Sequence, residues 1–181
     1  MKTVYIPKIE ELFDEEKGEF FSIQETKITL EHSLVSISKW ESIWHKVYLS
    51  EQPKTNEEVL SYIECMTITQ NVNPYIYKVL PNKVINEITE YINDPMTATI
   101  ITDNNKIKGK KEIITSELIY YWMFKLGIPK ECEKWHFNRL FTLIQIYNAK
   151  DQPERKMSKN EILKQNHALN AMRRAKLKSR G

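Results

Sequence analysis

The chain has 181 residues and a hydrophobic share of 41%, enough for one domain with a real core plus an appendage. No apolar run approaches the roughly 20 residues a membrane-spanning helix needs, and four glycines leave little material for phosphate-cradling loops. The net charge of +3 hides an asymmetry: Lys150 to Gly181 holds ten Lys or Arg against three acids, while the remainder holds 17 basic and 21 acidic residues. An acidic body carrying a +7 tail is thus expected, and such a tail seeks phosphates or a carboxylate-rich protein surface.

Met1 to Glu16 alternates apolar and charged residues without the basic start, apolar block and small-residue cleavage site of a secretion signal, so none is expected. Val4-Tyr5-Ile6 reads as a strand stopped by Pro7. Glu19 to Ile23 and Lys27 to Leu30 alternate with polar residues on either side of Gln24-Glu25-Thr26, which predicts a hairpin between those two segments.

Ser33 to Lys46 is predicted to be a helix, capped by Ser33, with Leu34, Ile37, Trp40 or Glu41, and Trp44 on one face. Thr55-Asn56-Glu57-Glu58 is a capping box that opens a second helix through Val59, Leu60, Tyr62, Ile63 and Met66. Asn73-Pro74 marks a break. Lys83 to Asn93 is the next helix, ended by Asp94-Pro95 because a residue before proline resists the helical region. Residues 97 to 113, with the basic connector Asp103 to Lys111, read as a loop or loose hairpin. Thr115 or Ser116 caps an apolar helix that Gly127 and Pro129 stop, and Trp135 to Asn148 forms the following helix. These two helices are expected at the centre of the core. After a polar connector, Lys150 to Met157, a second capping box, Ser158-Lys159-Asn160-Glu161, opens a final helix rich in Ala, Leu, Lys and Arg.

Residues with chemical potential are scattered. None of His32, His45, His136 and His167 stands at metal-ligand spacing from another His, Cys or acid, except Cys132 and His136 at i, i+4, and two ligands do not make a site. Cys65 and Cys132 lie outside any CxxC and are expected as free thiols. Ser33, Ser36 and Ser38 lack a nucleophile elbow. Lys108-Gly109-Lys110-Lys111 lacks the pattern of a P-loop and reads as a solvated loop. The stripe Trp40, Trp44, Tyr48 reads as core packing, with a base-stacking platform as the alternative. No residue is expected to be catalytic, no metal or other cofactor is expected, and the chain is expected not to be an enzyme.

The basic C-terminal segment differs from these. Arg173, Arg174, Lys176, Lys178 and Arg180 fall within eight residues with no acid among them, and Leu169, Met172 and Leu177 supply apolar anchors beside them. These eight residues are the candidate partner-binding set. A protein surface or groove is the favoured partner, with nucleic acid and a merely solvated helix as the other readings.

Several long segments resemble a conserved family of tail-module proteins of tailed bacteriophages. They are Leu30 to Glu41, Tyr62 to Thr67, Pro95 to Thr99, Glu112 to Met123 and Asn166 to Gly181, so the resemblance covers the chain from about residue 26 to its end. The family is similar to tail assembly chaperones: small, helical, non-enzymatic proteins that coat the tape-measure protein while the tail tube forms. No catalytic motif comes with the resemblance. It implies the tape-measure protein or other tail and virion proteins as partners, self-association, and a place in the host cell cytoplasm during assembly or in the virion. A structural virion component, such as a connector or minor tail protein, is the alternative.

The expectation is therefore a mainly α (α+β) protein. A helical-bundle core with an N-terminal β-hairpin would occupy residues 1 to 149, and residues 150 to 181 would form a basic linker and projecting helix.

Overall fold

A computed structural model describes residues 1–14, 18–99, 113–151 and 159–177. The protein is mainly α with a small β component: helices take 55% of the described residues and strands 14%. Its contacts divide the chain into two compact units, Met1–Tyr147 and Asn148–Gly181.

The first unit begins with a β-ribbon. Strands β1 (Lys2–Ile6) and β4 (Thr26–Leu30) pair antiparallel, and β2 (Ile9–Asp14) pairs with β3 (Glu19–Ile23). This corrects the expected hairpin between residues 19–23 and 27–30, whose two segments instead pair with the residues that precede them. The register explains why. Ile6 stands opposite Thr26 and Ile9 opposite Ile23, so both pairings belong to one long ribbon interrupted at Pro7-Lys8. Proline has no N–H to donate to a ladder, so the pairing lapses there and resumes. A register shift between Ile9 and Leu12 then places Leu12 opposite Phe21.

Alternation sorts the ribbon's faces. Val4, Ile6, Ile23, Ile28 and Leu30 are buried, while Tyr5 and Lys27 face water. The outer edge of β4 is tied down. Ile68 N–H donates to Thr29 O at 2.9 Å, Glu31 N–H donates to Met66 O at 2.8 Å, and Thr69 Oγ1 accepts from Thr29 N–H at 2.9 Å.

Helix α1 (Leu34–Trp44) starts at Ser33, whose N–H is accepted by Ser36 Oγ, and ends at His45 in the left-handed region with φ 51°. Helix α2 (Asn56–Met66) carries the expected capping box: Thr55 Oγ1 accepts from Glu58 N–H at 3.3 Å, and Glu58 Oε2 accepts from Thr55 N–H at 2.8 Å. A one-turn helix α3 (Tyr75–Lys78) follows Pro74, and α4 (Asn82–Asn93) buries Val84, Ile88 and Tyr91. The connector Asp103 to Lys111 lies outside the described residues.

Helix α5 (Ser116–Lys125) is capped by Thr115, whose Oγ1 accepts from Leu118 N–H at 3.3 Å. Gly127 follows it with φ 65°, the left-handed geometry that makes glycine the natural stop. A 3-10 helix, Lys130–Lys134, precedes α6 (Phe137–Asp151). The helix expected from Trp135 thus starts two residues later, because the 3-10 turn runs to Lys134 and leaves Trp135 extended.

The core's centre includes α6, which buries Phe137, Leu140 and Ile144, but it is wider than expected. Its largest fully buried side chains include Ile6, Ile28 and Leu30 of the ribbon, Leu34, Ile37 and Trp40 of α1, and Ile63 and Met66 of α2. Helix α5 adds Ile119 and Met123, but its Tyr121 and Phe124 are exposed. An apolar sequence therefore overstated the burial of α5, because only one face of it meets the core.

In the second unit, α7 (Lys159–Leu177) follows the expected helix. Ser158, the expected cap, lies outside the described residues.

Candidate functional site

Helix α7 carries the sequence-derived candidates. Its composition of good helix formers accounts for a 19-residue helix with a thin apolar stripe. Every α7 side chain that is described faces water, including Leu169, Met172, Arg173, Arg174, Lys176 and Leu177. Met172 and Leu177, two large apolar groups, are 72% and 75% exposed. Lys178 and Arg180, the remaining candidates, lie outside the described residues. Three- and four-residue spacing brings Leu169, Met172, Arg173 and Lys176 onto one side of the helix. That side offers apolar contact and positive charge together, which suits an acidic protein surface with apolar sites.

In the body, the Trp40, Trp44, Tyr48 stripe is packed. Trp40 is buried and its Nε1–H donates to Glu58 O at 2.9 Å, while Trp44 Nε1–H donates to Ser61 Oγ at 3.0 Å. The Tyr48 ring lies 4.1 Å from that of Tyr62. Lys54 Nζ sits over the Tyr48 ring at 4.5 Å, and burial holds its amine below the usual lysine value. Trp40 and Lys54 line a cleft of about 1070 Å³ together with Lys46, Leu49, Glu58 and Ile114. Lys46 pairs with the Glu58 carboxylate, and that ammonium, with the Thr55 N–H, holds Glu58 below the usual carboxylate range.

A cluster that spacing did not reveal lies between the ribbon end and α6. His32 and His136 meet ring to ring at 5.0 Å. His32 Nδ1 hydrogen-bonds Tyr62 Oη at 2.5 Å, Ser36 Oγ lies 3.3 Å from the same oxygen, and Tyr91 Oη accepts from His32 N–H at 3.4 Å. His136 Nε2 bonds to Tyr91 O at 2.9 Å. Burial, reinforced by His136, pushes His32 down to about 3, and burial also lowers His136. Both rings are therefore neutral near pH 7, and the cluster ties the ribbon's end to α2, α4 and α6 through hydrogen bonds. No local pattern announces it, because its members come from four separate segments.

Cys132 and His136 do not form the helical i, i+4 pair, since one lies in the 3-10 helix and the other precedes α6. Among the described residues no group of three or more His, Cys, Asp or Glu could hold a metal ion. Cys65 is partly buried, Cys132 is buried, and both are free, with burial raising each thiol above its usual value. Among the described residues no helix is long and apolar enough to cross a membrane.

No family model, no curated protein and no solved structure matches this chain.

Proposed function

We propose that this chain is a bacteriophage tail assembly chaperone that binds the tape-measure protein through its helical surface, with α7 as the docking helix. The observation that carries the reading is the exposure of Leu169, Met172 and Leu177 beside Arg173, Arg174 and Lys176 on a helix of strong formers. A preformed helix loses less conformational entropy on docking than a disordered tail, and its mixed surface favours repeated, moderate contacts with a long helical client. The resemblance of residues 26 to 181 to phage tail-module proteins supports the same reading.

Co-expression of the full chain with the tape-measure protein, followed by pull-down, tests it. Capture is expected with the full chain and lost on deletion of residues 158–181. Absence of capture at both low and physiological salt removes the proposal. Stoichiometric presence in purified particles, read by mass spectrometry, favours a structural virion component instead.

A further inference from the structure

Helix α5 has two unlike faces. Ile119 and Met123 are buried in the body, and the N–H of Ser116, at the helix start, donates to Glu41 Oε2 at 2.8 Å. These contacts fix the rotation of the helix and turn Glu117, Tyr121, Phe124 and Lys125 to water, with Leu118 half-buried beside them. Tyr121 is 56% exposed and Phe124 67%. A spacing of three residues puts both rings on one side of the helix, so they form a patch rather than isolated side chains. The charges around this patch have an order. Leu118 and Phe124 stand three residues to either side of Tyr121, and Glu117 and Lys125 stand four. Lys125 Nζ lies over the Tyr121 ring at 5.9 Å. The N–H of Glu117 itself, with the Thr115 hydroxyl, holds the Glu117 carboxyl below the usual carboxylate range, so it is charged near pH 7.

We propose that this face of α5 docks on the same face of a second copy of the chain, in an antiparallel two-fold pair centred on Tyr121. Antiparallel packing sets the two rows of residues against each other in reverse order. Tyr121 then meets Tyr121 of the second copy, Leu118 meets Phe124, and Glu117 meets Lys125, the last two contacts each made twice. The face is its own complement in charge and in apolar content, as an isologous contact requires. A parallel pair would set Glu117 against Glu117 and Lys125 against Lys125, so the charge order also selects the direction. Rows of residues four apart interdigitate at a crossing angle of about −50°, which lets Glu117, Tyr121 and Lys125 run alongside their counterparts. A ten-residue helix is only about 15 Å long, so the contact is at the small end of specific interfaces and association is concentration-dependent. It uses no residue of α7 and goes beyond the tape-measure reading.

The test is made in the full chain with three variants, Glu117→Lys, Lys125→Glu and Phe124→Ser. All three side chains are exposed, and each variant keeps Thr115 as the cap. Circular dichroism checks that the fold is kept. Phe124→Ser alters neither charge, so it carries the test if a reversal loosens the helix start. Sedimentation velocity should show wild-type dimers increasing with concentration. Each variant alone should associate more weakly by about tenfold or more. An equimolar mixture of the Glu117→Lys and Lys125→Glu chains should regain dimers, because two lysines on one face then oppose two glutamates on the other. Deleting residues 158–181 should leave wild-type dimerisation unchanged. Wild-type chains that stay monomeric up to about 1 mM, variants that associate like wild type, a mixture that gains nothing, or dimers lost with residues 158–181 would each overturn the proposal. Dimers that form only after that deletion would assign the face to α7 of the same chain and also overturn it. Pull-down with tape-measure protein separates this inference from the functional reading. Retained capture by Phe124→Ser with lost self-association supports both. Lost capture by wild type with intact self-association sinks the functional reading alone.

Discussion

In Met1–Tyr147 the helices are short and each buries a stripe, whereas in Asn148–Gly181 a 19-residue helix exposes every side chain that is described. Helices of 10 to 12 residues are marginal alone, so α1, α2, α4 and α5 depend on the surfaces they cover. They are also cross-braced by polar groups. Glu41, which is buried, accepts from Tyr48 N–H at 2.9 Å and from Ser116 N–H at 2.8 Å, so a carboxylate of α1 holds the first residue of α5. Helix α7 has no comparable brace among the described residues and relies on propensity. The difference teaches where change is tolerated: the body is specified by contacts across the chain, while α7 rests on local helix propensity.

The largest break should come from Trp40→Ala. It empties a fully buried indole site and removes the bond to Glu58 O, so a loss of about 3–5 kcal/mol is expected. Urea denaturation reads it; a midpoint within error of wild type would contradict the placement of Trp40 in the core.

Acid should act next, and only on the body. His32 titrates near 6.5 when unfolded and at about 3 when folded, so the unfolded chain binds more protons between those values. Stability is full above pH 6.5 and falls as pH drops toward 3, by about 1.4 kcal/mol per pH unit for this group. His32→Asn, which can keep a hydrogen bond to Tyr62, should flatten that slope. Part of the slope should survive, because burial also holds His136 below its usual value. An unchanged slope in the variant would assign the acid response to other groups.

Glu41→Gln should cost somewhat less, about 1–3 kcal/mol, because an amide has one oxygen for two backbone donors and the second N–H is left unsatisfied. Equilibrium unfolding with Glu41→Asp and Glu41→Gln side by side separates lost reach from lost acceptor. The smallest effect belongs to the tail. Deleting residues 158–181 should move the body's unfolding free energy by no more than about 0.5 kcal/mol, since α7 buries no described side chain. A larger shift would mean the two units share stability after all.

Much of the helical framework is legible in local chemistry. Thr55 with Glu58, Thr115 before Ser116, Pro74, Asp94-Pro95 and Gly127 each place a boundary within a residue or two, because caps and breakers act through neighbouring backbone groups. The ribbon shows the limit of that method. The alternation of Lys27 to Leu30 correctly marks a strand, but alternation names no partner, and a short polar connector points to the wrong one. Of the candidate site, the exposure of Leu169, Met172 and Leu177 follows from a helix too polar to bury itself. The exposure of Phe13 and Phe20 does not, because it depends on which side of the pleat the core takes.

Charge segregation and the mainly helical class thus arise from composition and short-range preference alone. The pairing of residues 2–14 with 19–30, the union of His32 with His136 and the clasp of Glu41 on Ser116 arise from long-range packing. Capping and periodicity are properties of a few adjacent residues. Which distant groups share a buried site depends on how the whole chain removes its apolar surface from water.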